Sequence, residues 1–234
     1  MLIAAHAYPE LDVGSQMVRL DRLAERCTEP TLEAWRRLLW VDEGFAGNAV
    51  DYYDPRNSFL NDVLDRRIGI PITLAVVGME VGRRIGLPLA GVGMPGHFLL
   101  ANGSDVFVDP FAGVVLDREG CERLFRRVAG GDAVFDPAYL EPVGPRAILA
   151  RMLANLRLVY GRLAEAGSLA WVLRLRLAMP GTSPADRAEL ARALAGAGRF
   201  GEGAAELETL AGAGAIDDPD AVRRQAVALR ARLN

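Results

Sequence analysis

The chain has 234 residues, about half of them apolar, with 30 acidic and 27 basic residues and a net charge of -3. That is enough apolar material for a sizeable core. The charge gives no broad electrostatic footing for nucleic-acid binding. All the basic residues are arginines, so chemistry through a lysine Schiff base is excluded.

The first fourteen residues read as irregular, without the layout of a signal peptide, which sets a cytoplasmic expectation. From Ser15, a plausible N-cap, Met17, Leu20 and Leu23 recur at helical spacing. Thr28-Glu29-Pro30 breaks that helix. A second follows over TLEAWRRLLWVDEGF, with Leu32, Trp35, Leu38 and Leu39 on one face. Residues 46–56 read as a loop whose Tyr52 and Tyr53 are polar-tipped rings.

Residues 57–110 form the centre of the sequence. Asn57 or Ser58 is placed to cap a short helix stopped by Gly69. Pro71 suits the first position of the next helix, which is apolar nearly all round and so reads as buried. Gly78 and Gly82 leave one side of it smooth enough for close approach by another backbone. The period then changes. LAGVGM, HFLLA and DVFVDP read as three antiparallel strands, with Asn102-Gly103-Ser104 as the last turn. Pairing across that turn sets position 97 opposite about 108, bringing His97 and Asp109 within hydrogen-bond reach.

A helix capped near Asp117 follows, then a proline-containing loop over 130–145, taken as a boundary between residues 1–140 and 141–234. Everything beyond it reads as helix. ARALAGAGRFGEGAAELETL resembles a tetratricopeptide unit, with a Gly-Arg-Phe turn between paired helices.

A buried helix followed by strands that carry a histidine and an aspartate is the layout of an acyl-transfer triad, with the nucleophile at the helix N-terminus. YYDPRNSFLNDVLDRRIGIPITLAVVGMEVGRRIGLPLAGVGMPGHFLL, followed by VFVDPFAG, resembles the bacterial transglutaminase-like proteins that carry tetratricopeptide-type C-terminal helices. The resemblance implies an α+β, papain-related core with an antiparallel sheet, followed by an all-α tetratricopeptide-like region. It assigns His97 and Asp109 to the family's histidine and aspartate. It also places the family's cysteine at or next to Pro71, where this chain reads Pro71-Ile72-Thr73; Cys27 and Cys121 lie far from that position.

The leading expectation is therefore a transglutaminase-like protein without its nucleophile, acting as a protein- or peptide-binding or regulatory module. Asn57, Ser58, Asn61, Asp62, Pro71 and Ile72 are its candidate cleft residues. Adjacent helix positions diverge, so at most one of Asn61 and Asp62 faces His97. The alternative is an amide or ester hydrolase or acyltransferase that uses His97 and Asp109 with water or Thr73, although a threonine there reads more simply as a capping or packing residue. His97 also reads as a structural partner of Asp109. With His6 as the other histidine, no metal or cofactor site is expected, nor is nucleic acid or membrane. Oligomeric state is left open.

Overall fold

A computed structural model describes residues 1–181, 183–213 and 216–233. The fold is α+β. The described chain divides into two compact units, Met1–Met152 and Leu153–Asn234. The division falls within a helix, Pro145–Arg162.

The first unit begins with α1 (Leu2–Ala7) and α2 (Val13–Glu25). This corrects the expectation of an irregular start. The cap of α2 is Asp12, whose carboxylate accepts from Gly14 N–H; Ser15 is already inside the helix and donates to Asp12. Thr31 caps α3 (Leu32–Arg36), which widens into a π-helical turn over Arg37–Asp42. Trp35 is fully buried there, and its indole N–H donates to the Gly78 carbonyl at 3.0 Å.

Strand β1 (Ala46–Gly47) pairs in parallel with β2 (Ile68–Gly69). Between them lies α4 (Leu60–Arg66). Two sequence expectations are corrected here. Asn57 and Ser58 do not cap α4. They lie in a 3-10 turn, Pro55–Ser58, that Asp54 caps by accepting from Arg56 N–H. The helix stops at Arg67, which takes the left-handed conformation (φ 60°), while Gly69 belongs to β2.

Helix α5 (Pro71–Ile85) is buried along most of its length, with Pro71 in its first turn and Gly86 at its C-cap (φ 78°). A Cβ at Gly78 would come within 2.8 Å of the Trp35 ring, so a side chain fills that smooth side. At Gly82 the neighbours are the Leu89 side chain and, at 3.1 Å, the Leu87 carbonyl.

Four antiparallel strands follow in sequential order: β3 (Ala90–Val92), β4 (Leu99–Ala101), β5 (Phe107–Asp109) and β6 (Val114–Leu116). Sequence reading missed β6, a three-residue edge strand with two exposed valines and no buried face to betray it. Both faces of the central strands are covered, and alternation sorts their side chains. Leu100 and Val108 join the core with α2 and α5, whereas Leu99, Ala101 and Phe107 pack with Cys121, Leu124 and Phe125 of α6 (Arg118–Ala129).

The second unit takes up the end of α7 (Pro145–Arg162). It continues with α8 (Ala166–Leu177), α9 (Pro184–Gly196), α10 (Phe200–Gly212) and α11 (Pro219–Arg230), with α8, α9 and α10 each packing on the next. Gly198 (φ 75°) makes the turn from α9 to α10. A Cβ at Gly203 would stand 2.9 Å from the Ala191 carbonyl, so glycine there permits close helix pairing. Paired helices with small-residue contacts fit a tetratricopeptide-like region.

Candidate functional site

The site is assembled by the β4–β5 hairpin. Leu100 pairs with Val108 and Ala101 with Phe107, and Asn102 N–H donates to the Val106 carbonyl. The turn therefore spans Asn102 to Val106, longer than Asn102-Gly103-Ser104, and position 97 does not lie opposite 108. His97 also precedes β4. It follows a Met94–His97 turn through Gly96 (φ 75°) and is held by its own N–H to the Met94 carbonyl. The two side chains nevertheless meet: His97 Nε2 lies 2.8 Å from Asp109 Oδ1, and both residues are buried.

Each partner is fixed from behind. Asp109 Oδ1 also accepts from Phe111 N–H at 2.9 Å. Arg151, on α7, donates to the Met94 carbonyl at 2.9 Å and to the His97 carbonyl at 2.7 Å, clamping the turn that presents the imidazole. Its guanidinium lies over the Phe98 ring, and burial lowers its pKa from the usual arginine value. The Trp40 indole donates to the Pro110 carbonyl at 2.9 Å, and Gly47 N–H to the Phe111 carbonyl at 3.0 Å. The Phe111 ring meets His97 edge-on, with centroids 6.3 Å apart, and Tyr52 lies 6.2 Å beyond it. Burial pushes the Tyr52 phenol above its ordinary pKa, against the opposing charge of Arg151.

The N-terminus of α5 connects to this cluster through the main chain and two amides. Asn57 Oδ1 accepts from Asn48 Nδ2 at 3.1 Å, and Asn57 Nδ2 donates to the carbonyls of Asp51 and Tyr52. Thr73 Oγ1 donates to the Asn57 carbonyl at 2.7 Å and accepts from Ile70 N–H at 3.1 Å. Thr73 is completely buried. Its hydroxyl is thus engaged on both sides, and neither partner is His97.

The expected cleft residues are mostly interior. Asn57, Ser58, Asn61, Pro71 and Ile72 are buried. Asp62 is half-buried and turned to α1's end, where the Tyr8 hydroxyl donates to it at 2.6 Å; burial raises its carboxyl pKa. Asn61 Oδ1 is buried without a hydrogen-bond partner. Neither cysteine lies at the start of α5. Cys121 is fully buried on α6, its thiol pushed up to about 12 chiefly by burial, with Asp117 and Asp109 adding to the shift. Cys27 donates to the Glu29 carbonyl. Among the described residues, no group of three or more His, Cys, Asp or Glu is placed to hold a metal ion, and no helix is long and apolar enough to cross a membrane.

Sequence reading missed Arg151, Phe111 and the structural part of Trp40. Arg151 is one arginine among many, far from His97 in the chain. Tyr52 carried a signal, as one of two adjacent polar-tipped rings.

With this geometry in place, comparison with known proteins decides the family. The model of the transglutaminase-like superfamily matches residues 5–154. The chain belongs to the transglutaminase-like superfamily. It is 41% identical over 176 residues to a UPF0162 protein of Xylella fastidiosa, covering 68% of this chain and 63% of that protein. It is 36% identical over 167 residues to a UPF0162 protein of Pseudomonas aeruginosa, covering 69% and 60%. It thus spans less than two thirds of these relatives' length. Human F-box only protein 21 is 34% identical over 137 residues, covering 53% of this chain and 21% of that protein. No solved structure matches. The transglutaminase-like match includes every element that builds the His97 site, Arg151 among them.

Proposed function

We propose that this transglutaminase-like chain is a non-catalytic protein- or peptide-binding module, with residues 1–140 as the expected core and 141–234 as the expected tetratricopeptide-like region. The observation that carries the reading is at the first turn of α5. Where the family resemblance expects the nucleophilic cysteine, the chain has Pro71 and Ile72, and the nearby Thr73 hydroxyl is engaged by Asn57 and Ile70. An acyl transfer needs a nucleophile in hydrogen-bond reach of the base.

The surroundings of His97 support recognition. Tyr52 and Tyr53 are 40% and 39% exposed, and Val50 is fully exposed on the same loop. Tyr52, backed by Phe111, and Tyr53 beside it offer apolar area with polar tips, the composition favoured where proteins meet. The name of one relative, F-box only protein 21, is in keeping with work among proteins.

One observation keeps a rival reading alive. Asp109 orients His97 through Nε2, leaving Nδ1 as the nitrogen to activate a water for amide or ester hydrolysis. A peptide library screened against the full chain, its His97→Ala variant and its Tyr52→Ala variant tests the proposal. Selected peptides that bind the wild type, lose at least tenfold with either substitution and remain uncleaved are the expected result. Cleavage of amide or ester substrates that disappears in His97→Ala overturns it.

A further inference from the structure

Away from His97, four guanidiniums converge on one small pocket. Arg19, Arg22 and Arg26 follow one another at helical spacing along α2 and its C-cap, and Arg67 joins them from the end of α4; with Leu23, Glu43 and Leu64 they line a cavity of about 170 Å³. Like charges three and four apart on a helix repel. Such a stripe therefore runs against local helix energetics and calls for compensation from elsewhere.

The carboxylates present compensate only in part. Glu43, whose side chain is 5% exposed, pairs with Arg26 and, at 2.7 Å, with Arg67. Arg19 pairs with Asp65 at 2.7 Å and donates to Gln16. Arg22 is exposed and has no carboxylate partner among the described residues. Two carboxylates thus face four guanidiniums, leaving a local excess of two positive charges. Arg67 carries the consequence: its pKa is lowered from the usual value by burial first, then by Arg19 and Arg26. It also takes a left-handed backbone that non-glycine residues seldom adopt, with its guanidinium held over Phe45.

Two simpler accounts fall short. Cations at helix C-termini are favoured by the macrodipole, which accommodates Arg22, Arg26 and Arg67 but not Arg19, farther back on α2. Simple solvation of a basic face leaves the buried Glu43 and the cavity between the side chains unexplained. Pockets that enclose whole drug-sized ligands run to about 300–1,000 Å³. A cavity of 170 Å³ instead has room for a single charged group.

The geometry points to a phosphate-group site formed by Arg19, Arg22, Arg26 and Arg67, with Glu43 holding two of the arginines in place. A phosphate dianion matches the charge excess, and arginine forks bind its oxygens in pairs. This site is independent of the reading given for His97.

Calorimetric titration of the full chain with inorganic phosphate and with O-phosphoserine, each against chloride at equal ionic strength, tests it. The expected result is saturable binding of at least one phosphate species, weakened fivefold or more by Arg22→Gln and further by Arg19→Gln/Arg22→Gln. Tighter inorganic phosphate assigns the site to the free ion; tighter phosphoserine assigns it to a phosphomonoester. Arg67→Gln strips a partner from buried Glu43 and risks the fold, whereas Arg22 is exposed and its variant keeps the test sound. Absence of saturable binding beyond chloride, or unchanged affinity in the double variant, overturns the assignment.

Discussion

The Thr73 hydroxyl donates to the Asn57 carbonyl at 2.7 Å, tying the first turn of α5 to the 3-10 turn before α4. The same oxygen accepts from Ile70 N–H, so one side chain satisfies two buried main-chain groups. Thr73→Val keeps the shape and removes both bonds. Leaving buried polar groups unpaired costs about 1–3 kcal/mol. Equilibrium urea unfolding should show that loss, with most of it restored in Thr73→Ser.

The His97–Asp109 pair predicts a different kind of loss. Asp109→Ala leaves Phe111 N–H without its acceptor and His97 without its orienting partner. A destabilisation of about 2–3 kcal/mol is expected from the stranded groups. Asp109→Asn retains an oxygen for Phe111 and should cost less. Comparing both variants by denaturant midpoint checks the order.

Gly113 has a left-handed backbone (φ 69°), and a Cβ there would lie 2.3 Å from the Trp40 ring. Gly113→Ala is therefore expected to push Trp40 off its bond to the Pro110 carbonyl and to loosen the loop carrying Phe111. A red-shifted tryptophan emission and a melting temperature lowered by several degrees are the expected outcome. An unchanged spectrum would mean that the ring yields without losing its bond.

The two thiols should differ in reactivity. Cys121 is fully buried and its pKa is pushed up to about 12, so almost no thiolate exists at neutral pH. Cys27 is half-buried near the surface of α2's end. An aromatic disulfide reagent should titrate Cys27 in the native protein and Cys121 only after denaturation. Rapid modification of both thiols would contradict the packing of α6 against the sheet.

Asp54 supplies a pH dependence. Burial opposes its charge, but hydrogen bonds from Arg56 and the charges of Arg66 and Arg56 outweigh it and hold the carboxyl below its ordinary value. A depressed folded-state pKa means that the unfolded chain binds the proton more readily. The contribution is thus present above an unfolded pKa of about 3.9 and fades as pH falls through the lower folded value. Asp54→Asn should lower the melting temperature at pH 7 and flatten its decline between roughly pH 5 and 2.

Much of the fold was legible because α5 is patterned so plainly. Its all-round apolar surface and Pro71 at the first turn could mean only a buried helix with a defined start. The pairing of His97 with Asp109 was legible for a similar reason, since a short hairpin must return the chain to its neighbour. Its register was not, because the turn is longer than its Asn-Gly-Ser core suggests. The cap of α2 was misplaced for a related reason: Asp12 and Ser15 both stand near its start, and only the backbone geometry selects between them, while α4 starts after Phe59 with no side-chain cap.

By itself, the sequence determined the apolar helix, the strand-rich hairpin with its histidine and aspartate, the helical C-terminal region and the absence of cysteine at the start of α5. These follow from local periodicity and residue identity. Only the tertiary structure decided that Arg151 clamps the His97 turn, that Thr73 is sealed by Asn57, that the expected cleft residues are mostly interior, and that Arg67 meets the arginines of α2. Those relationships join residues far apart in the chain, and nothing in local pattern encodes which distant side chain will satisfy a given carbonyl or charge.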